Sequence, residues 1–170
     1  MNDTPFFVDP LAAHHDRKPF HCSEPVLDDY IKRYARQNME NGSSRTFVAT
    51  LPDSPRICAY FSLSAGAVAL SEFSEEVRRG WPRLVPAVHL GRFAVDQEFQ
   101  GQQLGRSLLD AVFGKSLLVA QTLGIIVIEV WALNDNARRF YEKFQFQPLL
   151  DDSLHLYLSL ETVRELFSNA

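Results

Sequence analysis

The sequence GRFAVDQEFQGQQLGRSLL, residues 91–109, decides the fold of this chain. It completes an apolar pattern that predicts a strand over residues 88–95, and it opens an amphipathic pattern that predicts a helix over residues 104–123. The turn between them contains Gly101 and Gly105. A strand, such a turn and a long helix direct free backbone N–H groups and the positive end of the helix dipole to one place, which suits a pyrophosphate.

The turn lacks the two common fingerprints of phosphate binding. No Gly-Lys-Ser/Thr follows, which excludes a Walker loop, and Gly-x-Gly-x-x-Gly is absent, which excludes the dinucleotide fingerprint. Arg106 adds positive charge at the start of the helix. Taken alone, the pattern fits either an anion site or a purely structural turn.

The segments after this stretch alternate between strand and helix. The β-branched residues 125–131 predict a strand, and residues 136–144 predict a helix. Residues 154–160 then predict a strand, and residues 161–167 a terminal helix. This order predicts a mixed α/β sheet.

The first half of the chain predicts one long helix and a hairpin. The helix is expected over residues 24–41, with Ser23 as its N-cap and Gly42 as its C-terminal stop. Residues 45–51 and 56–64 predict two antiparallel strands around a proline-bounded turn. A short helix is expected at residues 74–79. The apolar stripe of the long helix is predicted to consist of Val26, Tyr30, Ile31 and Tyr34.

Composition indicates one globular domain over residues 1–170. The chain is 46% apolar and 22% charged, which excludes a disordered, fibrous or disulfide-built protein. Its net charge of −4 excludes a protein that coats nucleic acid with its whole surface, but it leaves room for a local basic patch. Residues 1–95 carry 11 basic and 11 acidic side chains, whereas residues 96–170 carry 6 and 10.

The sequence favours a cytoplasmic protein. The first residues have no basic segment followed by an apolar core, as a secretory signal would. No segment supplies the roughly 18 apolar residues of a membrane span. Cys22 and Cys58 form no Cys-x-x-Cys pattern, and His14, His15 and His21 form no ligand spacing with carboxylates, so we expect no metal.

Two motifs together resemble the GCN5-related N-acetyltransferase superfamily. The family's Gln/Arg-x-x-Gly-x-Gly/Ala loop aligns with residues 100–105, and its later Asn-x-x-Ala-x-x-x-Tyr element aligns with Asn134, Ala137 and Tyr141. The resemblance implies a mixed, mostly antiparallel central sheet flanked by helices, with acetyl-CoA bound in the cleft after the strand at 88–95. The cofactor residues that it implies are Phe93, Ala94, Val95, Gln100, Gly101, Gln102, Gln103, Leu104, Gly105, Arg106 and Asn134.

Two glutamines depart from the family pattern. Gln103 replaces the first loop glycine, and Gln145 replaces the glycine of the usual Gly-Phe ending before Phe146. A Cβ at position 103 would obstruct the pyrophosphate or require a less favourable backbone geometry. A catalytically inactive binding module therefore stays an alternative.

The resemblance also assigns the chemistry of acetyl transfer to an amine. Tyr141 matches the tyrosine that protonates the leaving thiolate, although its position beside two phenylalanines also fits a core aromatic residue. Backbone groups of residues 93–95 are expected to hold the pantetheine and to polarise the acetyl carbonyl. No general base is evident. His89 is either a proton acceptor through water or a structural residue, and Glu129 is either similar or an ion-pair partner.

The amino-terminal half resembles the toxin branch of this superfamily. The segments that carry this likeness are residues 20–49, 59–68 and 90–96. Such toxins are encoded beside ribbon-helix-helix antitoxins and acetylate the α-amine of aminoacyl-tRNA, and the resemblance also implies a homodimer. The alternative enzyme function is a housekeeping acetyltransferase for a small-molecule or protein amine.

Binding of tRNA requires cations near the cleft. Those on the predicted long helix also fit an ordinary solvated helix face, and three others cluster around a proline-bounded loop. The last candidate lies on the strand at 88–95, where it also fits a dimer contact. The candidates are Lys32, Arg33, Arg36, Arg78, Arg79, Arg83 and Arg92.

Overall fold

The computed structural model describes residues 5–169, and its strands form one seven-stranded sheet in the order β1-β2-β3-β4-β5-β7-β6. β4 and β5 run parallel, whereas β1–β2, β2–β3, β5–β7 and β6–β7 are antiparallel pairs. The predicted mixed, mostly antiparallel sheet is therefore confirmed. The strands are β1 (Phe7–Pro10), β2 (Arg45–Thr50), β3 (Ile57–Ala69), β4 (Leu84–Val95), β5 (Val127–Trp131), β6 (Gln147–Pro148) and β7 (His155–Ser159).

The helices follow the predicted order in the second half of the chain. The predictions for residues 104–123, 136–144 and 161–167 correspond to α3, α4 and α5. The helices are α1 (Pro25–Asp29), α2 (Ala35–Glu40), α3 (Leu104–Val119), α4 (Asp135–Glu142) and α5 (Leu160–Ser168).

The long helix predicted over residues 24–41 is interrupted. A π-helical segment, Tyr30–Tyr34, joins α1 to α2. In this region Tyr30 and Ile31 are buried, whereas Val26 and Tyr34 are about half exposed. Two of the four residues predicted to form the apolar stripe are therefore buried.

Of the two predicted ends of this helical region, the structure contradicts the first and confirms the second. Ser23 is not the N-cap: its φ of 73° is left-handed, and Glu24 takes the cap position without a side-chain hydrogen bond. Gly42 ends α2 as predicted, because its φ of 79° suits glycine and its N–H donates to the Met39 carbonyl at 3.2 Å.

Three other predictions differ from the structure. The second hairpin strand extends to Ala69, well beyond the predicted end at residue 64. Residues 74–79 form turns rather than a short helix, and the only helical turn nearby is Leu70–Glu72. β1 and β6 were not predicted, because four-residue and two-residue strands carry too little periodic pattern.

The chain divides into two compact units. The first unit comprises the residues up to Ser64 together with Gly91–Val112, and the second comprises Ala65–Leu90 together with the residues from Phe113 onward. The core of the first unit includes Phe20, Tyr30, Ile31, Val48, Ile57, Tyr60 and Ala94. The core of the second includes Val68, Phe73, Val85, Val127, Leu149 and Tyr157.

Candidate functional site

A buried carboxylate shapes the turn that follows β4 in the first unit. The oxygens of Asp96 accept the backbone N–H of Glu98 and that of His21, both at 3.0 Å. The Arg56 guanidinium lies 2.9 Å from the Glu98 carboxylate and 5.4 Å from the Phe99 ring centroid. These contacts fix the path from strand to helix. An Asp whose side chain accepts the backbone N–H two residues later is a common sequence signal for a turn. No sequence pattern pointed to Arg56.

Two glutamine side chains brace the same turn. Gln100 Nε2 donates to the Val95 carbonyl at 2.9 Å, and Gln102 Nε2 donates to the Glu98 carbonyl at 3.0 Å. Both side chains therefore hydrogen bond to the backbone that precedes them. The turn residues expected to surround the pyrophosphate are thus tied to the end of β4.

The turn contains two left-handed residues, Gly101 with a φ of 76° and Gln103 with a φ of 61°. This conformation costs a residue with a Cβ about 1–2 kcal/mol, and it costs glycine nothing comparable. The less favourable backbone geometry that was expected at Gln103 is therefore present.

The start of α3 presents backbone donors. The first helical hydrogen bond runs from the Ser107 N–H to the Gln103 carbonyl at 3.2 Å, so the N–H groups of residues 104–106 precede the helical ladder. Leu104 is buried and anchors the first turn, whereas Arg106 is exposed. This geometry can hold an anionic group with backbone N–H groups and the helix dipole.

The last residues of β4 belong to the same unit as the turn and the start of α3. Ala94 is buried in the core of the first unit, while Phe93 and Val95 are partly exposed. The structure therefore brings the predicted cofactor residues 93–95 and 100–106 together within the first unit.

The second unit holds the other predicted site residues on α4. Asn134 is the N-cap, and its side-chain oxygen accepts the Ala137 N–H at 2.9 Å. Tyr141 is buried, and its ring centroid lies 5.3 Å from that of Phe140 and 5.3 Å from that of Phe146. Burial raises the pKa of the Tyr141 phenol, which keeps it in the proton-donating form.

Gln145 ends the α4 region in a left-handed conformation, with a φ of 71°. The Gln145 N–H donates to the Glu142 carbonyl at 3.1 Å, and the Phe146 N–H donates to the Tyr141 carbonyl at 3.3 Å. This is the position where helices commonly place glycine. Both glutamines that replace family glycines thus adopt the backbone conformation that glycine favours.

His89 and Glu129 are hydrogen-bonded partners in the second unit. They are paired residues of β4 and β5, and His89 Nδ1 lies 2.5 Å from Glu129 Oε1. Glu129 Oε2 lies 2.5 Å from Nε2 of His155 on β7. Burial disfavours the charged form of Glu129, but the hydrogen bonds from both histidines outweigh it and lower the pKa of the carboxyl. Glu129 thus contacts two imidazoles, and sequence reasoning missed His155.

The candidate tRNA contacts of the first unit differ in their surroundings. Arg33 pairs with Asp29 at 2.9 Å, and Arg36 pairs with Glu40 at 3.7 Å. The guanidinium of Arg92 packs 4.8 Å from the ring centroid of Tyr30. Lys32 is exposed on the same helical region.

The candidates of the second unit lie around the loop after β3. Arg78 pairs with Glu75 at 3.3 Å, whereas Arg79 and Arg83 are exposed. The Arg83 carbonyl accepts the Leu70 N–H at 2.9 Å, which ties the loop ends together. In the part of the chain that the structure describes, Lys32, Arg79 and Arg83 have no acidic partner within ion-pair distance.

Two further properties concern residues 5–169. No group of three or more His, Cys, Asp or Glu side chains there is arranged to hold a metal ion. None of the helices in that range combines the length and the apolar character that crossing a bilayer requires.

Comparison with known proteins places these motifs in a family. A tRNA-acetylating toxin of Mycobacterium tuberculosis is 39% identical over 154 residues, which cover 91% of this chain and 92% of that protein. The crystal structure of a tyrosine-to-phenylalanine mutant of KacT superposes with a TM-score of 0.91 at 25% identity, covering 95% of this chain and 99% of that one.

A third similarity concerns the fold. The structure of AtaT complexed with acetyl-methionyl-tRNAfMet superposes with a TM-score of 0.90 at 23% identity, covering 96% of this chain and 99% of that one. The family model for the acetyltransferase (GNAT) domain matches residues 43–148, which include the turn, the start of α3, Asn134 and Tyr141. This chain belongs to the GNAT acetyltransferase family.

Proposed function

We propose that this chain is an acetyl-CoA-dependent N-acetyltransferase that acetylates the α-amine of aminoacyl-tRNA and thereby blocks translation. The observation that carries the proposal is the 39% identity, over 91% of the chain, to a protein named as a tRNA-acetylating toxin. We take residues 1–170 to act as a single acetyltransferase domain. We assign it to the cytoplasm, because aminoacyl-tRNA is used there.

The residues of the first unit fit acetyl-CoA. The N–H groups of residues 104–106 precede the helical ladder and would hold the pyrophosphate, with Gly101 allowing its close approach and Arg106 adding a positive charge. Backbone groups of Phe93, Ala94 and Val95 would hold the pantetheine and polarise the thioester carbonyl. Asn134 would contribute a further contact to the pantetheine.

Tyr141 would protonate the leaving thiolate. Its phenol is buried, so it stays protonated at neutral pH and can donate a hydrogen bond or a proton to sulfur. Its aromatic neighbours on and after α4 hold the ring in place. The core-aromatic and catalytic interpretations of this residue are therefore compatible.

The acceptor chemistry suits such a site. An aminoacyl ester withdraws electrons from its α-amine, so a larger fraction of that amine is neutral and nucleophilic near pH 7. The exposed cations Lys32, Arg79 and Arg83 would contact tRNA phosphates, with Arg36, Arg78 and Arg92 as further candidates. Local contacts of this kind agree with a net charge of −4.

The toxin branch also implies protein partners. We propose that the chain forms a homodimer and binds a ribbon-helix-helix antitoxin. Exposed apolar side chains support a partner surface: Leu118 and Leu123, at and after the end of α3, are 64% and 61% exposed.

The test is acetyl transfer in a cell-free translation mixture with labelled acetyl-CoA. We expect label on the α-amine of charged tRNA and arrest of translation, with the rate of transfer reduced about 100-fold or more by Tyr141→Phe. Tyr34→Phe, at a half-exposed tyrosine, is the matched control and should keep the wild-type rate.

Three outcomes would contradict the proposal. Label on a protein or a small amine, with charged tRNA unlabelled, would indicate a housekeeping acetyltransferase. Absence of acetyl-CoA binding by calorimetry would indicate an inactive binding module. Full activity of the Tyr141→Phe protein would remove Tyr141 from the chemistry.

A further inference from the structure

Asp96 is a buried carboxylate with partners from three separate segments of the first unit. It is 2% exposed, and its Oδ2 accepts the His21 N–H at 3.0 Å. Its Oδ1 accepts the Glu98 N–H at 3.0 Å and lies 3.5 Å from Nη2 of Arg56. Burying a carboxylate is unfavourable unless hydrogen bonds and an opposite charge compensate for the lost water. Asp96 therefore fixes the turn after β4 only while these partners stay in place.

Arg56 contacts the turn through its whole guanidinium. Nη1 lies 2.9 Å from Oε2 of Glu98, while Nη2 faces Asp96. The guanidinium carbon lies 5.4 Å from the centroid of the Phe99 ring, close enough for a cation–π contact. Both terminal nitrogens of Arg56 thus lie against side chains of the turn. We call Arg56, Asp96, Glu98 and Phe99 the Asp96 cluster.

Further hydrogen bonds tie the same turn to distant segments of the first unit. The Asp96 N–H donates to the Cys58 carbonyl at 2.9 Å, and the Gln97 N–H donates to the His21 carbonyl at 2.8 Å. The Gln97 side chain also donates to the hydroxyl of Ser23. The position of the turn is therefore set by long-range contacts as well as by its own sequence.

The turn passes this placement on to the residues before α3. Gln102 Nε2 donates to the Glu98 carbonyl at 3.0 Å, so the position of Gln102 depends on that of Glu98. The N–H groups of residues 104–106, which precede the helical ladder, begin two residues later. Donors bind an anion best when they already point to its position, and a shift of about 1 Å is enough to weaken such a site. The contacts of the turn thus bear on the proposed pyrophosphate donors.

We propose that Arg56 and Glu98 are positioning residues for the pyrophosphate of acetyl-CoA. They hold the turn, and through it the donors at the start of α3, without touching the cofactor themselves. This inference rests on the acetyl-CoA binding of the proposed function. The Arg56 and Glu98 side chains are 33% and 67% exposed, so their ion pair contributes little to overall stability. Its effect should therefore appear in cofactor affinity rather than in folding.

Positioning and simple electrostatics predict different signs. Arg56→Gln removes a positive charge near the turn, and Glu98→Gln removes a negative one. If these charges acted directly on the pyrophosphate, the first variant would weaken binding and the second would strengthen it. If they position the turn, both variants weaken binding, because each breaks the same contact.

The experiment measures the dissociation constant of acetyl-CoA by calorimetry, in the absence of tRNA. We expect Arg56→Gln to raise it about 10-fold and Glu98→Gln about threefold, as the loss of a charged hydrogen bond and of an exposed ion pair would. The double variant should bind about as weakly as Arg56→Gln alone. Arg45→Gln, at an exposed arginine on β2, is the matched control and should keep the wild-type affinity.

Acetyl-pantetheine, which lacks the pyrophosphate, separates positioning from a general structural defect. We expect kcat/KM for this shorter donor to be unchanged in Arg56→Gln, while KM for acetyl-CoA rises and kcat is retained. Variants that lose activity equally with both donors would show that the Asp96 cluster only supports the fold.

Tighter or unchanged binding of acetyl-CoA by Glu98→Gln overturns the inference. Because the Glu98 side chain is exposed, this variant decides the question even if Arg56→Gln does not fold by circular dichroism. Wild-type protein that binds acetyl-CoA but leaves charged tRNA unlabelled overturns the proposed function and not this inference. Wild-type protein that does not bind acetyl-CoA overturns both.

Discussion

At the scale of the residue, two glutamines show how this chain departs from its family. Gln103 and Gln145 occupy positions where the family has glycine, and both are left-handed, with φ values of 61° and 71°. The turn in the first unit and the helix end in the second unit thus keep the backbone conformation that favours glycine. In both places this conformation is sterically unfavourable for the Cβ of the glutamine. The N–H groups that begin α3 are unaffected, because a side chain at position 103 removes no backbone donor.

Gln103→Gly should stabilise the protein. Removing the Cβ from a left-handed residue stabilises the folded state by about 1–2 kcal/mol. Glycine also increases the conformational entropy of the unfolded chain, which offsets roughly half of this gain. We expect a net gain of about 0.5–1 kcal/mol in the free energy of unfolding, measured by urea denaturation, together with tighter acetyl-CoA binding by calorimetry.

Gln145→Gly is the matched control for that substitution. It relieves the same conformation at a residue outside the predicted cofactor set, so it should stabilise the fold and leave acetyl-CoA affinity unchanged. Equal affinity in wild type and Gln103→Gly would mean that the Cβ at position 103 does not impede the pyrophosphate.

At the scale of the element, α4 depends on its first residue. The helix has only eight residues, and the Asn134 side chain satisfies the Ala137 N–H at 2.9 Å. Short helices gain little from propensity, so a cap contributes a large share of their stability. The same helix carries Tyr141.

Asn134→Ala should destabilise the protein by about 1 kcal/mol, the usual cost of losing such a cap. We also expect a higher KM for acetyl-CoA, because the predicted pantetheine contact is lost. The measurements are urea denaturation and steady-state kinetics. Asn136→Ala, at an exposed position two residues on, is the control, and an equal loss of stability there would argue against the cap.

The helical region at residues 25–40 shows the limit of pattern reasoning at this scale. The propensities of these residues favour a helix, and helix formed there, but nothing in the pattern marks the π segment Tyr30–Tyr34. The segment is stabilised by what it packs against. The Tyr30 ring stacks with that of Tyr60 at 6.2 Å, and Arg92 covers it.

At the scale of the whole molecule, each unit holds a buried carboxylate whose pKa is lowered. In the second unit this is Glu129. In the first unit, Asp28 accepts the Cys22 N–H at 2.8 Å and contacts His21 Nδ1 at 2.7 Å. Burial disfavours its ionisation, but the hydrogen bonds from Cys22 and His21 outweigh burial and lower the pKa of the carboxyl.

Stability should therefore fall in acid. A carboxyl whose pKa is lower in the folded state contributes stability that is present above its unfolded pKa and is lost as the pH falls through the folded value. We expect the free energy of unfolding to decrease as the pH falls below about 4, where unfolded Asp and Glu bind protons. Urea denaturation over a pH series measures this.

Variants at the two carboxylates separate their contributions. Asp28→Asn and Glu129→Gln should each lower stability at pH 7 and flatten its decrease in acid. Asp53→Asn, at an exposed turn residue, should keep the wild-type dependence. A decrease that stays as steep in both buried variants would mean that other groups control acid unfolding.

The sequence by itself determined the local parts of this protein: the strand, turn and helix of residues 91–109 and the order of the C-terminal elements. These depend on interactions between residues close in the chain, which a pattern records. Only the tertiary structure decided the π segment, the short edge strands β1 and β6 and the joining of His89, Glu129 and His155. Those features depend on hydrogen bonds and packing between distant segments, and their partners become neighbours only when the strands pair.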